Sequence, residues 1–152
     1  MQFERVIVLR ECISIIRDES RKAQYTETGG PLVGYIAPNR ILIVTNAAGP
    51  GPKAKLERYN VTIDGESAQT FCDRILRESE GRQDYVGDWH KHPGISLRPS
   101  NDDTIAMETM ANFACSPTKH PISLIYRIFP QAFKVYVWDG SGSLVKMSSN
   151  IA

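Results

Sequence analysis

Residues Gly87-Asp88-Trp89-His90-Lys91-His92-Pro93 constrain this chain more than any other segment. Tyr85 and Val86 favour a strand over 84–92, and Pro93 ends it by withholding a backbone donor. Alternate side chains of a strand share a face, so His90 and His92 project together, their Cα atoms roughly 6.6 Å apart. Two imidazoles at that spacing can converge on one ion. Lys91 must point the other way, which removes its charge from that face. After the loop 94–99 the chain can fold back to Ser100-Asn101-Asp102-Asp103. Imidazole and carboxylate together suit a divalent zinc ion, and two histidines with one acid leave a coordination position for water. The expectation is a zinc hydrolase.

Each piece also has a plain structural reading. Ser-x-x-Asp ahead of an apolar helical run is a helix start, with Ser100 as the N-cap and Asp103 favoured by the helix dipole. A residue on a first helical turn can still face a neighbouring strand, so the two readings of Asp103 are compatible. Asp102 competes with it, and spacing does not choose between them. Paired histidines on a strand can equally be a hydrogen-bonded, half-buried face.

The whole chain sets wider bounds. Its 152 residues fit one domain, 1–152, large enough to bury a core. A net charge of +1 gives no basic excess for an obligate nucleic-acid partner. Cys12, Cys72 and Cys115 are odd in number and lack C-x-x-C spacing, so they read as buried apolar residues in a reducing compartment. Met1-Gln2-Phe3-Glu4-Arg5 leads into no long apolar run, so neither a signal peptide nor a membrane span is expected. The expected location is cytoplasmic.

Periodicity orders the rest. Residues 6–9 read as a strand, and Cys12, Ile13 and Ile16 as one face of a helix. Residues 31–37 and 40–47 read as a hairpin about Pro38-Asn39. The Gly49-Pro50-Gly51-Pro52-Lys53 loop lacks the ending of a phosphate loop. A strand over 58–63 is expected, then a helix burying Ala68, Phe71, Cys72 and Ile75, and a third helix with Ile105, Ala106, Met110 and Phe113 on its stripe. A hairpin about Pro130-Gln131 and one short strand close the chain. This alternation predicts an α/β fold with a mixed sheet flanked by helices. Trp89 and Tyr85 read as core, Asp88 as a solvent-exposed strand start, and His120 as a surface residue.

His90-x-His92-Pro93, six residues, then Ser100-x-x-Asp103 resembles the signature of the JAMM zinc metalloproteases, the competent branch of the JAB/MPN domain proteins. Glu27-Thr28-Gly29-Gly30-Pro31-Leu32-Val33-Gly34 resembles the upstream segment carrying that family's acid. Gly-Asp-Trp before His90 and the Gly-Pro-Gly-Pro loop resemble its prokaryotic members. The resemblance implies a JAB/MPN, cytidine-deaminase-like domain, with His90, His92 and Asp103 as zinc ligands. It further implies Glu27 as general base and Ser100 as oxyanion donor. The implied substrates are a ubiquitin-like or sulfur-carrier protein, at its C-terminal glycine, and its conjugates. Lys91 departs from the pattern, where Ser or Thr is more usual. Two alternatives stand beside this reading: a non-catalytic scaffold or partner-binding module, and a relative of the RadC-like proteins associated with DNA, which the near-neutral charge does not support.

Overall fold

The computed structural model describes residues 2–152, and its architecture turns on how one sheet curls around a helix. Ten strands and three helices follow in the order β1 (Arg5–Val8), α1 (Arg10–Lys22), β2 (Thr28–Ala37), β3 (Ile41–Ala47), β4 (Lys55–Leu56), β5 (Val61–Thr62), α2 (Gly65–Glu78), β6 (Asp84–Lys91), α3 (Asn101–Asn112), β7 (Ile122–Arg127), β8 (Ala132–Trp138), β9 (Leu144–Met147) and β10 (Ser149–Ile151). Eight strands form a mixed sheet in the order β10-β1-β3-β2-β6-β7-β8-β9. Its two edges, β9 and β10, are separated in sequence by Ser148 alone. With Cα atoms about 3.8 Å apart along a chain, one intervening residue forces the edges close together, so the sheet is curled nearly into a barrel.

That curl encloses an apolar interior. Val6, Val8, Leu42, Val44, Trp89, Leu124, Val135 and Val137 cluster with Cys12, Ile13 and Ile16 of α1. The helix therefore buries one face against the sheet, as its 3.6-residue pattern requires. A second cluster joins Cys72 and Ile75 of α2 to Val33 and Tyr85 on the other side, and a third joins Met107 and Ala111 of α3 to Trp138. The fold is the expected mixed sheet flanked by helices.

Strand β6 lies at the centre, antiparallel to β2 and parallel to β7. Its register slips opposite Leu32–Val33, where Gly87 faces Leu32 and Tyr85 faces Val33. The extra residue, Val86, is a β-bulge, and it reverses the alternation of faces on either side. Val86 and Trp89 pack on the α1 side, whereas Tyr85 packs on the α2 side. Gly87 takes a φ of +151°, and a Cβ there would lie 2.0 Å from the Ile122 carbonyl oxygen. The bulge needs a glycine at this point.

Several local expectations change. The β2–β3 turn has its left-handed residues at Asn39 and Arg40. The strand expected over 58–63 shrinks to β5, which pairs with β4 in a separate two-stranded ribbon. The final strand is two, β9 and β10, one on each edge. Helix α3 buries Asp103, Met107 and Ala111, while Ile105 and Phe113 are exposed; the sequence offers two apolar stripes, and the sheet takes the one bearing Asp103. Cys12 and Cys72 are buried, but Cys115 is exposed beyond the end of α3, and all three are free thiols.

Trp89 is fully buried and its Nε1 donates to the Ala48 carbonyl at 2.8 Å. Trp89→Ala removes both packing and a buried donor, and the expected loss is about 3–5 kcal/mol of stability, measured by urea unfolding.

Candidate functional site

Beyond the bulge, β6 resumes simple alternation, so Asp88, His90 and His92 face α2 and α3 while Trp89 and Lys91 face α1. His90 and Asp103 are buried and His92 is nearly so. Asp103 reaches them from the first turn of α3. His92 Nε2 lies 3.0 Å from Asp103 Oδ2, and His90 Nδ1 lies 3.5 Å from Asp103 Oδ1. Asp102 is exposed, so the helix start turns one carboxylate in and one out.

The same helix start holds Asp103 in place. Ser100 Oγ accepts from the Asp103 amide at 3.2 Å, and the Ser100 amide donates to Asp103 Oδ2 at 2.7 Å. This capping box satisfies two backbone donors and aims the carboxylate at the histidines. The structural and functional readings of Ser100 and Asp103 are one geometry.

The electrostatics follow from burial and contact. The Asp103 hydrogen bond, ahead of the opposing effect of burial, raises the His92 pKa above the ordinary imidazole value. Burial pushes Asp103 up, but the His92 hydrogen bond, the His90 charge and the Ser100 amide together bring it below the usual carboxylate range. His90 is lowered, chiefly by burial. Its Nδ1 is buried and makes no hydrogen bond among the described residues.

That orphaned nitrogen is the test of whether the residues fit a metal. A buried polar atom without a partner costs about 1–3 kcal/mol, and an ion ligated there would relieve it. Tetrahedral bonds of ~2.0–2.1 Å would set donor atoms about 3.3 Å apart, between the two spacings found. Among the described residues no group of three or more His, Cys, Asp or Glu is arranged as a ready metal cluster. The His92–Asp103 hydrogen bond occupies donors that a metal would take. The donor set fits a divalent cation.

Glu27 stands just before β2, which runs antiparallel to β6 and pairs Thr28 with Lys91 and Gly29 with His90. The ladder carries Glu27 to the His92 end of β6, where its carboxylate responds to His92, Asp103, Asp102 and Lys91. It is half-buried, and burial raises its pKa above the usual carboxylate value, with His92 pulling it back. A Cβ at Gly29 would sit 2.4 Å from the Trp89 carbonyl oxygen and 2.7 Å from His90 Cδ2, so only glycine lets the strands close here.

Lys91 has a role the sequence did not reveal. Its side chain is buried on the α1 side, and Nζ donates to the carbonyls of Ala23, Gln24 (3.3 Å) and Thr26 (2.7 Å). All three ammonium protons can be placed, and the turn leading from α1 to Glu27 is tied to β6. The Glu57 carbonyl of the β4–β5 ribbon accepts from the Glu27 amide at 2.8 Å. Asp88, expected in solvent, is instead mid-strand and half-buried beside Tyr85; burial pushes it up to about 7. His120 is half-buried, its Nδ1 2.9 Å from the Trp138 carbonyl oxygen.

Two measurements check this geometry. In metal-free protein, the raised His92 adds stability that is present below its unfolded value of ~6.5 and lost as pH rises through its folded value. The lowered Asp103 adds stability present above ~3.9 and lost as pH falls through its folded value. A His92→Ala, Asp103→Ala double-mutant cycle should give a coupling of about 1.5–3 kcal/mol, largest between those two pH values. Lys91→Met should cost about 1.5–3 kcal/mol and speed hydrogen exchange at the Glu27 and Thr28 amides, read by NMR.

A model of prokaryotic homologs of the JAB domain matches residues 9–137. The chain is 28% identical over 128 residues to the probable metalloprotease y4qB of Sinorhizobium fredii, covering 84% of this chain and 77% of that protein. It is 27% identical over 100 residues to the CD-NTase/cGAS isopeptidase of Escherichia coli, and this match spans only 64% of either protein. The solution structure of protein DSY2949 from Desulfitobacterium hafniense has the same fold, with a TM-score of 0.70 at 16% identity over 97% of this chain and 92% of that one.

Proposed function

The chain belongs to the prokaryotic JAB family, and from that premise we propose that it is a zinc-dependent isopeptidase or peptidase. Its substrate is a ubiquitin-like or sulfur-carrier protein, removed or processed at its C-terminal glycine. One observation carries the reading: two buried imidazoles, one with an orphaned nitrogen, meet a buried carboxylate within the electrostatic reach of Glu27. Relatives named as a probable metalloprotease and an isopeptidase support hydrolysis of a peptide or isopeptide bond.

His90, His92 and Asp103 would hold the zinc. When bound, zinc supplies Lewis acidity and lowers the pKa of water to about 7. The Glu27 carboxylate takes the proton of the attacking water and returns it to the departing amine nitrogen. Its raised proton affinity suits a group that must both accept and release near neutral pH. Ser100 Oγ uses an oxygen lone pair for the Asp103 amide, which leaves its hydroxyl hydrogen to donate to the developing oxyanion. The backbone ties at Glu57 and Lys91 fix Glu27 before substrate arrives.

A polypeptide substrate agrees with the surroundings. Tyr25, Tyr59 and Ile95 are exposed large residues, each within three residues of Glu27, Glu57 or His92. Among the described residues the β4–β5 ribbon has no further strand partner, so an extended tail can add to it by backbone hydrogen bonding.

Glu27→Gln should lower cleavage of a ubiquitin-like fusion or isopeptide by about 10²–10⁴-fold while zinc, measured by elemental analysis, stays stoichiometric. His92→Ala should lose the zinc. Undiminished activity of Glu27→Gln would overturn the assignment of Glu27, and wild-type protein that takes up no metal would leave a partner-binding module instead.

A further inference from the structure

A cavity of about 520 Å³ lies between α2, α3 and the outer face of β6. This volume is in the range of small-ligand sites, ~300–1,000 Å³. Its walls are apolar, from Ile63, Ala68, Leu76, Met110 and Phe113. Three carboxyl side chains also line it, Asp73, Asp84 and Asp88, and none of its lining residues is Lys, Arg or His.

Asp73 stands exposed at the mouth, where it accepts from Gln69 Nε2 at 2.9 Å, and Asp84 accepts from the Tyr85 amide at 2.7 Å. Asp88 is the inner acid, with no cation opposite it among the lining residues. Beside it is Tyr85, only 9% exposed, whose hydroxyl turns to the Asp88 carboxyl and has no other hydrogen-bond partner among the described residues. The bulge at Val86 is what brings Tyr85 and Asp88 to one face. The Asp88 carboxyl and the Tyr85 hydroxyl form a polar pair with no cation among the lining residues, set in an apolar shaft, and the pair defines what would complete it. The occupant carries hydrogen-bond donors and a positive charge at its tip and methylene groups behind it.

We propose that this cavity binds an alkylammonium group, its nitrogen between Asp88 and Tyr85 and its chain along Leu76, Met110 and Phe113. Asp88 precedes His90 by two residues on the same face of β6, so the Asp88 end of the cavity adjoins the histidine–carboxylate site, while the chain runs away from it along α2 and α3. The chemistry is common to a lysine side chain of a polypeptide and to a free amine.

The test is a titration of metal-free protein with n-pentylammonium chloride, followed by NMR shifts at Tyr85 and Met110, with n-pentanol as the uncharged control. Turnover is not involved, so the outcome is independent of the proposed hydrolase. Binding of the ammonium should exceed that of the alcohol by about tenfold or more, and Asp88→Asn should remove that preference. Met110→Trp keeps the acid and narrows the shaft, and should weaken both probes; it serves if Asp88→Asn does not fold. Equal binding of the two probes to wild-type protein, or no shift with the ammonium, overturns the proposal. With binding seen, competition by acetyl-Gly-Lys-Gly amide but not by its norleucine counterpart identifies a polypeptide side chain as the source, and competition by neither identifies a free amine.

Discussion

One inserted residue in the central strand decides what the two faces of this sheet can do. Were the same sequence a regular strand, Tyr85, four residues before Trp89, would share its face, and the α2 side would lose the residue that anchors its small core. With the bulge at Val86, the α1 side receives Val86, Trp89 and Lys91, and the α2–α3 side receives Tyr85, Asp88, His90 and His92. Chemistry and packing are thereby separated across a sheet one residue thick. The cost is a glycine with a φ of +151° pressed against β7, and β7 in return pairs with β6 from Gly87 to Lys91.

Each polar side chain of the site is held by backbone structure. The histidines are fixed by a strand paired on both sides. Asp103 is fixed by the capping box, which lets a helix terminus satisfy its own amides while pointing an acid at a neighbouring strand. Glu27 is fixed at both ends of its peptide neighbourhood, by the Glu57 carbonyl and by the Thr26 carbonyl bound to Lys91. Preorganisation of this kind limits the reorganisation that a buried polar site would otherwise require.

Most of this was legible where a local rule operates. Strand alternation pairs His90 with His92 and opposes Lys91 and Trp89 to them, and the Ser-x-x-Asp pattern places the helix start at Ser100. The hidden parts depend on contacts between distant segments. Nothing local marks Val86 as a bulge, because the slip is defined by the register of Leu32 and Val33 on β2. Asp88 reads as solvent-facing because no local pattern in the strand shows that α2 and α3 cover this face of it. Helix α3 carries apolar residues on two sides, so its buried face follows from Trp138 across the gap, not from its own pattern. The split of the C-terminal strand across both edges reflects the sheet's closure, a global property.

Lys91 shows how a departure from a family pattern can be read physically. A short hydroxyl side chain at this position could not span to the end of α1, whereas a lysine reaches three carbonyls there. Those carbonyls belong to the turn after α1, where the helix ends without a glycine cap and its last carbonyls need donors. A buried ammonium is costly unless fully bonded, and three carbonyl acceptors meet that condition. Its charge is stabilised by backbone carbonyls on the α1 side, leaving the opposite face of β6 to the imidazoles. The residue between the two histidines thus joins the packed core to the approach of Glu27, and the distance between acid and histidines becomes a property of the core itself.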